Sequence, residues 1–190
     1  MTEPCDLTAV EARRLIGQKR LAASELLESC IARIEAIDPA VNAMPARDFA
    51  AARAAARQAD AAVMRGDKLP ALHGLPIGIK DLEDAAGLPT THGSVIFRDH
   101  IAAADEHIVA AARAAGAIIV GKTNTPEFGA GANTRNAVYG ATGNPFDPQK
   151  SAAGSSGGSA VALATGMVPR CTGSDTGGSW RNPAAFCGIV

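Results

Sequence analysis

Apolar residues recur at helical spacing through the first third of the chain and predict three helices. Thr8 is the expected N-cap of the first, with Glu11 three residues on and Gly17 as its end. Ser24 is the expected cap of the second, which should end before Pro39 because the residue preceding a proline avoids helical geometry. The predicted helices cover residues 7–17, 24–38 and 47–65, and a short strand is predicted at 41–44.

The pattern changes near residue 75, where short apolar runs flank one further helix. The runs at 75–79 and 117–120 predict buried strands, and residues 105–115 predict a helix capped by Asp105. This order of strand, helix and strand is typical of α/β proteins. It predicts a mixed, mostly parallel sheet covered by helices.

Composition and charge narrow the class of protein. The chain has 190 residues, of which 47% are hydrophobic and 19% are charged, as expected for a globular domain with its own core. The net charge of −1 gives no electrostatic reason to expect nucleic acid or an anionic membrane surface as a partner. Four cysteines without CxxC spacing and four histidines without ligand spacing predict no metal and no cofactor. Without a signal-peptide pattern or a run of transmembrane length, a cytoplasmic protein is expected.

Two loops of small residues stand out in the last 40 positions. They are GSSGG at 154–158 and GSDTGGS at 173–179, separated by an apolar, helix-forming segment at 160–167. Glycine lets a ligand approach the backbone closely, and serine supplies a hydroxyl group. Acyl transfer needs a nucleophile and N–H donors directed at a developing oxyanion. The loops therefore predict an acyl-transfer site in preference to a flexible linker.

Three blocks of the sequence resemble the amidase signature family, which uses a Ser–Ser–Lys triad. The blocks are GLPIGIKDL at 74–82, GSSGGSA at 154–160 and GSDTGGS at 173–179, the last followed by Arg181, Pro183 and Ala184. They occur in the family's order. Two residues depart from its pattern, because Ala153 stands where glycine is usual and Trp180 where an aliphatic residue is usual.

The resemblance implies a role for each matching residue. Lys80 would be the base that deprotonates Ser155, and Ser155 would take the proton of Ser179 as Ser179 attacks the substrate. Burial at the end of an apolar strand lowers the pKa of a lysine, so that a neutral amine can serve as the base. The implied oxyanion donors are the N–H groups of Thr176, Gly177, Gly178 and Ser179. The residues implied to contact the acyl group, in the polar stretch 123–144, are Gly129, Ala130 and Gly131.

We therefore expect an amidase that cleaves a carboxylic amide C–N bond through an acyl-enzyme on Ser179. The expected partner is a small-molecule amide, with no nucleic acid and no membrane, and homodimer formation is left open. The first alternative is the glutaminase (A) subunit of a tRNA-dependent amidotransferase, since the residues that would fix glutamine lie beyond Val190. Further alternatives are an inactive truncated fragment and a phosphate-binding module, although no GxxxxGK[ST] motif is present.

A competing motif is the nucleophile elbow G-x-S-x-G of α/β-hydrolases, which residues 154–158 also fit with Ser156 as nucleophile. That fold requires an apolar strand before the elbow. The preceding segment is NPFDPQK, which cannot form one. The elbow is rejected.

Members of the resembled family are more than twice as long as this chain, which stops at GIV with no polar tail or cap. We expect the N-terminal portion of a larger protein. Residues 1–70 would form a helical layer and residues 71–190 the first part of the catalytic core, with apolar surface left exposed.

Overall fold

The structure is a computed structural model that describes residues 3–189. The α-helices are α1 (Ala9–Gly17), α2 (Ala23–Val41), α3 (Phe49–Arg65), α4 (His107–Ala114), α5 (Gly157–Ala164) and α6 (Arg181–Cys187). The strands are β1 (Ala46–Arg47), β2 (Pro76–Lys80), β3 (Ile118–Thr123), β4 (Arg135–Asn136), β5 (Gly140–Ala141) and β6 (Arg170–Cys171). No helix within residues 3–189 has the length and apolar character that a membrane crossing requires.

Four strands form the main sheet, in the order β1-β3-β2-β6. β2 pairs in parallel with β3 and β6, and β1 pairs antiparallel with β3. Every residue of β2 and β3 is buried, as expected for central strands covered on both faces. β4 and β5 form a separate antiparallel pair. The prediction of a mixed, mostly parallel α/β sheet is confirmed.

The pairing of β2 with β3 contains one irregularity. It skips Val120, so that beyond this point Lys80 pairs with Thr123 and Ile79 pairs with Lys122. Successive side chains of a strand point to opposite faces of the sheet. Lys80 and Lys122 consequently lie on opposite faces.

One large apolar cluster joins the N-terminal helices to the sheet. It includes Leu27 and Ile34 of α2, Ala56 of α3, Val120 of β3 and Val161 of α5. A smaller cluster on the other side of β2 packs Ile77, Ile79 and Ile119 against Val109 of α4. The N-terminal helices thus share a core with the strands that carry the signature blocks, and the division near residue 70 stays a prediction.

The first helix begins as predicted, with the Thr8 side chain accepting a hydrogen bond from Glu11 N at 3.2 Å. The second helix does not begin as predicted. α2 begins one residue before Ser24, because Asp60 of α3 accepts hydrogen bonds from Ala23 N at 2.6 Å and Ser24 N at 3.3 Å. A cap supplied by another helix leaves no local signal in the sequence.

The predicted end of the second helix and the strand at 41–44 are wrong. α2 continues through Pro39 to Val41. Pro39 is exposed in the last turn, where water can satisfy the carbonyl that lacks an N–H partner. The N–H groups of Ala43 and Met44 donate to the buried carboxylate of Asp38 at 2.6 and 3.0 Å, which holds these residues in a turn.

The observed bounds of α4 and β3 also differ from the predicted ones. α4 begins at His107 with Glu106 as its N-cap, because Asp105 accepts a hydrogen bond from Ala86 N at 2.7 Å and pairs with Arg113. β3 extends to Thr123, beyond the predicted 117–120. α3 ends at Arg65 before Gly66, as predicted, but it begins at Phe49 and not at residue 47, because Arg47 pairs in β1 and the Asp48 side chain caps the helix.

Candidate active site

Lys80 ends the central strand β2 and is fully buried. Its backbone N–H donates to Thr172 Oγ1 at 2.8 Å, which ties the end of β2 to the segment after β6. Its Nζ lies 2.8 Å from Ser155 Oγ, 2.9 Å from Ser156 Oγ and 2.8 Å from Ser174 Oγ. Three hydroxyl groups therefore surround one buried amine.

The number of hydroxyl groups matches the bonding capacity of the amine in both protonation states. A protonated lysine has three N–H donors, which the three oxygens can accept. A neutral amine has two N–H donors and one lone pair, so one of the three hydroxyls must turn and donate to it. The site can bind either form without leaving a polar atom unpaired.

The environment of Lys80 increases the neutral fraction of its amine relative to a lysine in water. Burial lowers the pKa of Lys80 to about 8, although the negative charges of Glu83 and Asp175 oppose this change. Asp81, the next residue, points away and binds Thr91 and Lys122 instead. A lysine whose pKa lies near neutral pH can accept a proton under working conditions.

Ser155 lies in a tightly held loop between Ala152 and α5, and the Gly154–Ser155 peptide bond is cis. Thr134 anchors this loop by donating from Oγ1 to the carbonyl of Ala153 at 2.8 Å and accepting from Gly157 N at 3.0 Å. A Cβ on Gly157 would lie 2.2 Å from Thr134 Oγ1, so the loop can close only on a glycine.

Ser179 is joined to the first serine loop through the backbone. Its carbonyl accepts a hydrogen bond from Ser156 N at 2.9 Å, one residue from Ser155. The preceding residue, Gly178, has φ of +98°, a conformation that favours glycine. Ser179 is half-buried, and the loop before it, from Ser174 to Gly177, is exposed. Ser156 and Ser179, which are 23 positions apart in sequence, are therefore in direct contact through the backbone.

Asp175 braces the loop that carries Ser179. Its carboxylate binds the Arg181 guanidinium through both oxygens, at 2.9 and 3.0 Å. It also accepts from the backbone N–H groups of Gly178, Trp180 and Arg181. These contacts, the Arg181 guanidinium first, hold the pKa of Asp175 well below its usual range.

The brace changes the predicted set of oxyanion donors. Gly178 N donates to Asp175 Oδ1 at 2.7 Å, so it is not available to a substrate in this arrangement. Within the described residues, the N–H groups of Thr176, Gly177 and Ser179 have no acceptor. Three of the four predicted donors are therefore free.

A family model described as Amidase matches residues 25–190 of the chain. The chain belongs to the amidase family. It is 44% identical over 188 residues to the A subunit of glutamyl-tRNA(Gln) amidotransferase from Anaeromyxobacter sp. (strain K), and the match covers 99% of this chain and 38% of that protein. The chain thus spans about two fifths of the length of the curated relatives that it matches.

Two solved structures have a similar fold. A bacterial aryl acylamidase of the amidase signature family is 34% identical with a TM-score of 0.91, covering 95% of this chain and 38% of that one. A chain from a vestigial protein complex, studied for the evolutionary origins of an s-triazine catabolic enzyme, is 43% identical with a TM-score of 0.92. That match covers 96% of this chain and 40% of the other. Both agree with the mixed sheet and helices described above.

The relatives correct the expectation about partners. A small-molecule amide with no nucleic acid was expected, largely because the net charge is −1. The amidotransferase relatives are named as one subunit of an enzyme that acts on glutamyl-tRNA(Gln), so the expectation is wrong. Net charge describes attraction to the surface of this chain alone, and it carries no information about what a partner protein binds.

Two of the three residues expected to contact the acyl group lie against the first serine loop. A Cβ on Gly129 would lie 3.6 Å from Ser155 Oγ and 2.7 Å from Leu82 Cδ1. The Gly131 carbonyl lies against Gly154, and Ala130 is exposed between them. Gly129 is thus beside Ser155, and the role of the three residues stays a prediction.

Sequence reasoning missed two residues that contact the lysine. Ser156 appeared only as the nucleophile of the rejected elbow, and Ser174 had no role. Both place Oγ within hydrogen-bonding distance of Lys80 Nζ, and Ser156 Oγ also lies 3.4 Å from the Ser174 carbonyl. Their positions in the two serine loops were visible, but the inward direction of their side chains was not.

Proposed function

We propose that the protein cleaves carboxylic amide C–N bonds, with Ser179 as nucleophile, Ser155 as proton relay and Lys80 as base. The observation that carries this proposal is the fully buried Lys80 amine at 2.8 Å from Ser155 Oγ. A buried lysine is costly unless it is paired or neutral, and here hydroxyl groups are its direct partners. Such an arrangement suits a proton acceptor better than a structural cation.

The reaction proceeds in two acyl-transfer steps. Lys80 accepts the proton of Ser155, and Ser155 accepts the proton of Ser179 as Ser179 Oγ attacks the amide carbonyl. The tetrahedral intermediate collapses when the departing amine receives a proton through the same relay, which leaves an ester on Ser179. A water molecule then attacks the ester, and its proton passes through the same relay to the Ser179 oxygen as the carboxylic acid is released.

The N–H groups of Thr176, Gly177 and Ser179 are the proposed donors to the developing oxyanion. One donor of this kind contributes about 2.7–4 kcal/mol of transition-state stabilisation. The Asp175–Arg181 pair supports this role indirectly, because it fixes the backbone on which these donors lie. We place the protein in the cytoplasm, a proposal that the four free cysteines support.

The second candidate is the glutaminase component of a tRNA-dependent amidotransferase, in which the released ammonia passes to a partner. The identity of 43–45% to the A subunits of several amidotransferases favours it. The chemistry at Ser179 is the same in both cases. The two candidates differ in the acyl group, which comes from glutamine in the second.

Labelling with a serine-directed fluorophosphonate tests the shared chemistry. The protein should gain one phosphonate, located at Ser179 by peptide mass spectrometry. Ser179→Ala should abolish the labelling, and Ser155→Ala should slow it by about a hundredfold or more, as for loss of a general base. Ser24→Ala is the matched control, because Ser24 lies in the first turn of α2, outside both serine loops.

The outcomes separate the alternatives. Labelling at Ser179 that glutamine slows supports the glutaminase, and protection by aryl amides supports the broader amidase. Labelling at another serine would contradict the assigned nucleophile. A protein that is folded by circular dichroism but takes no label would contradict the proposed activity for this chain.

A further inference from the structure

A buried carboxylate lies close to the proposed catalytic lysine. Glu83 is 9% exposed, and within the described residues no donor reaches its Oε2. Its backbone N–H donates to the Lys80 carbonyl at 3.0 Å, and its own carbonyl accepts from Lys122 Nζ at 2.7 Å. The main chain of Glu83 therefore bridges the two fully buried lysines, and its side chain is buried without a full set of partners.

Thr172 links the Glu83 carboxyl group to Lys80. The Thr172 hydroxyl oxygen accepts the backbone N–H of Lys80 at 2.8 Å, which leaves its proton free to donate to Glu83. Burial raises the pKa of the Glu83 carboxyl group, and the Thr172 side chain opposes this change by a smaller amount. The carboxylate, the threonine and the end of β2 thus form one connected group.

We propose that Glu83 is a positioning residue that sets the pH at which Lys80 becomes a base. This inference rests on the proposed role of Lys80. A carboxylate near a lysine stabilises the ammonium form by electrostatic attraction, so Glu83 counteracts part of the effect of burial. Without it, Lys80 would lose its proton at lower pH and would be a weaker base once neutral.

The other charged groups near Glu83 and Lys80 are candidate influences on the Lys80 pKa besides Glu83. Facing Glu83 are Lys80 of β2, Lys122 of β3 and Glu106 at the start of α4. Facing Lys80, Asp175 is the second acid, and its carboxylate is already paired with Arg181. Lys122 has its own counterion in Asp81 at 3.3 Å. Glu83 is therefore the nearby acid that has no such cation of its own.

The titration of Lys80 can be measured without any catalytic activity. The chain has five lysines, so protein labelled with ¹³C at lysine Cε gives few NMR signals. Lys80→Met identifies the Lys80 signal by its loss. The titration midpoint of this signal is then compared between the parent protein and variants at Glu83.

Glu83→Gln keeps the size of the side chain and removes its charge. We expect it to lower the Lys80 midpoint by about one pH unit. The rising limb of the pH profile for Ser179 phosphonylation should move down with it. Labelling below the parent midpoint should be faster, but by less than about tenfold, because the larger neutral fraction is partly offset by a weaker base. Glu83→Asp keeps the charge and should give a Lys80 midpoint close to that of the parent. If Glu83→Gln does not fold, Glu83→Leu is used in its place, and the same lower midpoint is expected.

Asp84→Asn is the matched control, because it makes the same change in charge one residue along, at a more exposed carboxylate that lies 3.9 Å from His100 Nε2. Its Lys80 midpoint should equal that of the parent. An unchanged midpoint in Glu83→Gln, or an equal shift in Asp84→Asn, would overturn the proposal. If Ser179 takes no label at all, the proposed function fails, while the NMR midpoints still decide the coupling between Glu83 and Lys80.

Discussion

The pH dependence of acylation at Ser179 is the most direct consequence of a buried, neutral base. With a Lys80 pKa of about 8, the neutral fraction of the amine is about one tenth at pH 7, half at pH 8 and nine tenths at pH 9. If the neutral amine drives the attack, the labelling rate rises about tenfold between pH 7 and pH 9 and then levels off.

An unperturbed lysine gives a different curve. With a pKa near the usual value of about 10.4, the rate would rise about a hundredfold over the same interval and would still be rising at pH 9. The position of the plateau therefore measures the effect of burial on Lys80. The assay is the fluorophosphonate labelling rate of Ser179 from pH 6 to pH 10, followed by intact mass.

Lys80→Arg is the informative control. A guanidinium keeps the positive charge but does not lose its proton in this range, so we expect labelling at background level at every pH. A rate that is independent of pH would refute the role of Lys80 as base. So would a Lys80→Arg variant that labels at the parent rate.

Two further predictions concern stability. Lys80→Met should raise the free energy of unfolding by about 1–3 kcal/mol at pH 7, because the charged form no longer has to be buried. The folded-state pKa lies below the unfolded value, so the parent gains stability as the pH rises from about 8 towards 10.5, and the advantage of the variant should shrink there in urea titrations. Gly158→Ala should cost about 3 kcal/mol despite the higher helix propensity of alanine, because its Cβ would lie 2.3 Å from Asn124 N. Gly177→Ala meets no atom within 4 Å and should change stability by less than about 0.5 kcal/mol, so equal effects of the two substitutions would contradict this packing.

Elements with local signals were predictable from the sequence. Thr8 with Glu11 marked the start of α1, Gly66 follows the end of α3, and the apolar run before Lys80 is the central strand. Each of these signals lies within a few residues of the feature that it marks. The resemblance to the amidase signature blocks added the serine loops, which the structure brings together around Lys80.

Features that depend on distant partners were not predictable. Asp60 caps α2 from another helix, and Asp38 holds the turn that replaces the expected strand at 41–44. In the site, the inward direction of Ser156 and the capture of the Gly178 N–H by Asp175 depend on how two loops meet. Side-chain direction at a loop contact is set by tertiary packing, and sequence spacing does not encode it.

The skipped residue in the pairing of β2 with β3 also keeps two like charges apart. If Val120 were paired in regular register, Lys80 would lie opposite Lys122 and not opposite Thr123, and both ammonium groups would point to the same face of the sheet. The irregularity instead sends Lys122 to Asp81 and leaves Lys80 among hydroxyl groups. Loss of a single residue from β3 would therefore damage the acid–base chemistry of the site as well as the strand, because repulsion from a second lysine would alter the proton affinity on which the base depends.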